Sequence, residues 1–104
     1  MKKMIFIMTI DSIADKMHEF LEVNADIYFE LSKGKGKYKY YHRMDSQTWP
    51  GYVSGFIIPI EEEKIKEFKE KFIENINLIS TEHYWSYMVI PIEDFEMFTG
   101  GINV

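Results

Sequence analysis

With 104 residues, 46% of them hydrophobic and 28% charged, the chain has the size of one globular domain, residues 1–104, with room for a single two-layer core. It has no cysteine, which excludes disulfides, thiol catalysis and metal sites built on thiolates. The net charge is −5, but residues 32–44 hold five Lys/Arg and no Asp/Glu; the 7 cations elsewhere face 17 anions, so the rest of the chain carries −10 and repels a long polyanion such as a nucleic acid.

The N-terminal MKKMIFIMTI sets two lysines before an apolar run, but Asp11 ends the run and no small-residue cleavage site follows. The run predicts a first strand over residues 3–10 of a cytoplasmic protein rather than a secretion signal. No apolar stretch approaches the roughly 20 residues that span a bilayer. Asp11 or Ser12 is placed to cap a helix over about 12–23, with Ile13, Met17, Phe20 and Leu21 on one face.

DIYFEL at residues 26–31 predicts a second strand, and YVSGFIIPI at 52–60 a third, with Gly55 as a bulge and Pro59 at its end. Glu61, Glu62 and Glu63 then favour the positive end of a helix whose stripe is Ile65, Phe68, Phe72 and Ile76. HYWSYMVIPI at 83–92 predicts the last strand, and residues 93–98 a short helical turn or edge segment ended by Gly100 and Gly101.

The order βαββαβ predicts an α+β, ferredoxin-like domain: a four-stranded antiparallel sheet with two helices on one face. Ile58-Pro59-Ile60-Glu61 recurs as Ile90-Pro91-Ile92-Glu93, an internal echo of one strand exit. Tyr28, Tyr84 and Tyr87 are expected on the face away from the helices, where an aromatic surface calls for another subunit.

MVIPIEDFEMFTGG resembles the last strand and Thr-Gly tail of the PII-like signalling proteins, the superfamily of nitrogen-regulatory PII and CutA proteins, and GFIIPIEEEKI is similar to their third-strand exit into the second helix. The resemblance covers nearly the whole chain and implies a homotrimer, with residues 32–53 in the place of the family's T-loop. The resemblance implies an atypical member of that family. NLISTEHYWS lacks the glycines and lysines that precede the last strand in nucleotide-binding PII proteins, and Glu96, Met97 and Phe98 replace basic tail residues. HYW before an apolar-Pro-apolar strand also resembles less characterised PII-like proteins, some of them linked to heavy-metal efflux.

The stretch SKGKGKYKYYHRMDSQTWPG carries the candidate ligand site: Lys33, Gly34, Lys35, Gly36, Lys37, Lys39 and Arg43, with Trp49 as an apolar anchor. It is not a P-loop, because GxxxxGK[ST] is absent and Lys37 precedes a tyrosine. Glycine-spaced N–H groups and lysines suit a small anion or an acidic protein face. Tyr38, Tyr40 and Tyr41 could stack bases, though the acidic body opposes this. A bland alternative is a solvated loop kept soluble by its lysines.

His42, His83 and Glu82 are the candidate metal ligands, at no tight spacing, and His18 reads as a polar surface group. Neither HExxH nor a local Ser-His-Asp signature occurs. The expected function is therefore non-enzymatic regulation through the long loop, with no cofactor indicated. Metal binding, and a small enzyme of the dimeric α+β barrel kind lined by Trp49, Trp85, Tyr87 and His42, are the alternatives.

Overall fold

The computed structural model describes residues 2–35, 52–79, 85–99 and 102–103. In chain order these form β1 (Lys2–Ile10), a 3-10 turn (Asp11–Ile13), α1 (Ala14–Asn24), β2 (Phe29–Gly34), β3 (Val53–Glu61), a second 3-10 turn (Glu62–Lys64), α2 (Ile65–Ile79) and β4 (Trp85–Pro91). A small hairpin, β5 (Phe98–Thr99) with β6 (Ile102–Asn103), follows. The main sheet runs β2-β3-β1-β4, with every neighbouring pair antiparallel. This is an α+β fold with the expected βαββαβ layout.

Each helix pays its way through its apolar stripe. Ile13, Ala14, Met17, Phe20 and Leu21 are the buried positions at the start of and along α1, and Phe68 and Phe72 those of α2. Ala14, Met17, Phe20, Leu21, Phe68 and Phe72 meet Ile5 and Ile7 of β1 and Phe56 and Ile58 of β3 in one core, while Ile13 joins Ile10 and Val53 in a second, smaller cluster. Phe72 is its aromatic hub, with ring centroids 5.6 Å from both Trp85 and Tyr87 and 6.0 Å from Phe20. Burial of a side chain of this size contributes about 1.5–3 kcal/mol.

The register decides which residues face the helices. Ile5 pairs with Ile58 and Val89, Ile7 with Phe56 and Tyr87, and Thr9 with Ser54 and Trp85. Tyr87 therefore lies under α2, and Tyr28 packs against the same core, so neither is on the open face where the sequence placed them. Tyr84 lies outside the described residues.

Other local expectations change as well. The residues preceding the 3-10 turn and α1 are Ile10 and Ile13, which carry no capping side chain. The Asp11 carboxylate instead accepts a hydrogen bond from Ser54 Oγ at 2.5 Å, satisfying a fully buried hydroxyl, and the Asp11 N–H donates to the Tyr52 carbonyl at 2.7 Å. Gly55 is not a bulge, for the β1–β3 ladder runs through it in register. A Cβ there would come within 3.0 Å of Met8 Sδ and 3.4 Å of the Phe6 ring, so the glycine leaves room for those side chains to lie across β3.

The Ile-Pro-Ile echo is also not structural. Pro59 pairs with Met4 but Pro91 pairs with Lys3, so the two copies sit one residue out of phase and on opposite faces. Pro59 is tolerated inside β3 because β2 pairing ends at Phe29 opposite Ile57, and Pro91 lies in an edge strand. Residues 92–97 are irregular rather than helical.

Candidate functional site

The basic stretch begins inside β2, not after it. Ser32, Lys33 and Gly34 belong to the strand and Val53 to β3, so the connection spans residues 35–52 rather than 32–53. Leu31 pairs with Gly55 and Gly34 with Val53, which sets Ser32 and Lys33 against Ser54 alone: a bulge. Lys33 adopts φ 58°, the left-handed region that costs a side-chain-bearing residue roughly 1–2 kcal/mol. The bulge breaks the ladder where the basic stretch starts.

Lys33, Gly34 and Lys35 are exposed, and neither lysine forms an ion pair among the described residues. Gly34 has ordinary space beside it, with Val53 Cγ2 and O at 3.5 Å from an added Cβ, so its role is a bare backbone rather than a required conformation. Gly36, Lys37, Lys39, Arg43 and Trp49 lie outside the described residues, as do the metal candidates His42, Glu82 and His83. Among the described residues no group of three His, Asp or Glu side chains is arranged to hold a metal.

A polar chain of side chains joins α1 to β2. His18 leans edge-on against the Phe56 and Tyr28 rings, with centroids at 5.6 and 5.9 Å. Its Nε2–H donates to Glu30 Oε1 at 2.6 Å, while Nδ1 lies 3.3 Å from the Tyr28 hydroxyl. That hydroxyl donates to Glu22 Oε1 at 2.7 Å. The bond to Glu22 raises the Tyr28 phenol above its ordinary value, helped by burial and by the charges of Glu22 and Glu30, and keeps it a donor.

The signal was present but split: His18 and Glu22 are one helical turn apart, and Tyr28 and Glu30 alternate onto one side of a strand. None of these residues lines either of the cavities described below, so the chain acts as a tie between elements. Glu30→Gln is expected to cost about 1–2 kcal/mol by removing a charge-assisted bond at a partly buried site. Urea denaturation would read it as a lower midpoint at unchanged slope.

The sheet face away from the helices is apolar. Met4, Phe6 and Met8 of β1 alternate onto it, beside Ile57 and Pro59 of β3 and Met88 and Ile90 of β4. Phe29 and Leu31 of β2 complete it, and they are 56% and 55% exposed, with Met88 at 45%. At one end of it Lys2 Nζ meets Glu61 Oε1 at 3.1 Å. That hydrogen bond holds the Glu61 carboxyl below the usual carboxylate range.

Near that end lie two cavities. One, of about 310 Å³, is a cleft bounded by the last turn of α1, the first turns of α2 and the end of β3, with Ile58, Ile60 and Phe68 as apolar lining. The other, of about 700 Å³, opens between Lys2, Asp26, Ile27 and the tail residues Phe95, Glu96, Met97 and Phe98. The Lys2 ammonium sits 5.5 Å over the Phe95 ring.

No helix among the described residues is long and apolar enough to cross a membrane. No family model matches the chain, and no curated protein matches it. Among solved structures it is similar to the crystal structure of a functionally unknown protein from Pediococcus pentosaceus ATCC 25745, with a TM-score of 0.59 and 20% sequence identity. The match covers 93% of this chain and 97% of that one. At that identity the likeness shows a shared fold.

Proposed function

We propose that this chain is a non-enzymatic, PII-like regulatory domain of the cytoplasm that assembles with copies of itself through the open sheet face and binds a small anionic ligand through its basic β2–β3 connection. The observation that carries the proposal is the apolar face, bordered by the strand whose bulge at Lys33 starts the basic stretch. A chain of net charge −5 repels its own copies at most surfaces, whereas an apolar face needs no complementary charge and can pair with itself.

Size fits as well. Four strands about 4.8 Å apart and up to about 30 Å long give a flat footprint of roughly 550 Å². Side-chain relief raises this toward the about 800 Å² per partner of a stable interface. Met4, Met8 and Met88 supply adaptable packing. A trimer is the assembly that the family resemblance implies.

The ligand half of the proposal rests on Lys33 and Lys35, cations without ion-pair partners among the described residues, at the start of a lysine-rich connection. A bound ligand at a hundredfold excess over its Kd stabilises the fold by about 2.7 kcal/mol. At about 4–8 °C per kcal/mol, the melting temperature should rise by roughly 10–20 °C. Thermal-shift measurements with nucleotides, cyclic dinucleotides, carboxylates and bicarbonate are expected to give such a rise in the wild type and not in Lys35→Ala/Lys37→Ala. The absence of any rise, or an equal rise in both proteins, contradicts the ligand half.

A further inference from the structure

Thr9 Oγ1, Asn75 Oδ1, Trp85 Nε1 and the Tyr87 hydroxyl are all buried and have no hydrogen-bond partner among the described residues. Folded proteins keep such atoms few, and each one calls for an explanation. Here they share one layer. Thr9, fully buried, is the cross-strand partner of Trp85, and Tyr87 follows on the same face of β4. Phe72 of α2 contacts both the Trp85 and Tyr87 rings, and Asn75 lies one helical turn further along.

The chemistry of the set is biased toward donation. An indole N–H only donates. Burial raises the Tyr87 phenol above its ordinary value, so it keeps its proton and remains a donor. The Thr9 hydroxyl can donate; the buried Asn75 atom is Oδ1, an acceptor, and turning the amide over presents Nδ2–H as a donor instead. Lys69, one turn before Phe72, brings an ammonium to 5.7 Å from the Tyr87 ring centroid, at the edge of the same layer.

We propose that the layer between α2 and β4 is a binding site for a small oxyanion of carboxylate, bicarbonate or nitrate size. Trp85 Nε1–H, the Tyr87 and Thr9 hydroxyls and the Asn75 amide supply hydrogen bonds, and Lys69 supplies the attracting charge. The site is separate from the basic connection and does not depend on the function proposed for it. Among the described residues these polar groups have no partner, which leaves them available to the ligand.

Trp85 makes the test direct. The chain has two tryptophans, so a Trp49→Phe background leaves Trp85 as the only indole reporter. Acetate, bicarbonate and nitrate, each titrated at constant ionic strength against chloride, should produce a saturable change in Trp85 emission and move its indole N–H resonance. The affinity should fall at least tenfold in Tyr87→Phe and in Asn75→Leu, and stay unchanged in Lys35→Ala. Tyr87→Phe should meanwhile raise the melting temperature of the unliganded protein, showing that the variant is folded and has lost an unsatisfied group.

A linear, non-saturating response to all three anions overturns the proposal. So does a saturable response that survives Tyr87→Phe and Asn75→Leu. A response abolished by Lys35→Ala does the same, because it would place the anion at the basic connection.

Discussion

Phe72→Ala is expected to destabilise the domain by about 3–5 kcal/mol, the range for removing a large aromatic side chain from a packed core. Phe72 is 3% exposed and contacts rings from three elements: Phe20 on α1, Phe68 on its own helix, and Trp85 and Tyr87 on β4. Removing it leaves a cavity between α2 and the sheet and also ends ring contacts worth about 0.5–1.5 kcal/mol each, which do not simply add. At about 4–8 °C per kcal/mol for a domain of this size, melting should fall by at least 12 °C. A fall below about 4 °C would mean that α2 does not rest on this hub.

Met88→Glu should act on assembly and leave the fold nearly untouched. Met88 is 45% exposed on β4 in the isolated chain, so a carboxylate there is solvated and should change monomer stability by no more than about 0.5 kcal/mol. In a symmetric assembly the substitution is repeated in every copy, burying like charges against an apolar sheet with no cation to meet them. Self-association is expected to weaken at least a hundredfold, a loss of about 2.7 kcal/mol. Light scattering would show a monomer where the wild type is assembled, with an unchanged circular dichroism spectrum. Ser12→Glu, on an exposed residue of the helical side, is the control that should stay assembled.

Both predictions depend on sheet parity, and parity is what could not be read along the chain. The helices were legible because their signal is local: Ile13, Met17, Phe20 and Leu21, and Phe68 and Phe72, recur at helical spacing and are buried as that spacing requires. The element order and the α+β layout followed from the same kind of signal. KMIFIMTI, however, is apolar on both faces of β1, so it carries no alternation to say which side meets the helices. Only pairing with β3 and β4 settles that Ile5 and Ile7 face inward and Met4, Phe6 and Met8 outward.

The open face was accordingly anticipated, but with the wrong residues. Tyr87 looked like a surface aromatic, yet its register with Ile7 carries it under α2, and the exposed apolar surface comes from Met88, Phe29 and Leu31. Long-range polar partners escaped for the same reason. Nothing local to Asp11 announces Ser54, 43 residues away, and nothing local to His18 announces Glu30. The bulge at Lys33 was hidden because the left-handed residue is a lysine flanking a glycine, where the glycine itself would have been the natural choice.

The central claim is that the open sheet face is an interface between copies of this chain. Sedimentation equilibrium of the wild type across the micromolar range tests it most directly. The expected mass is a multiple of 12.5 kDa, three copies for a PII-like assembly and two for a closed α+β barrel, reverting to the single-chain mass in Met88→Glu. A wild type that remains at 12.5 kDa throughout that range would contradict it.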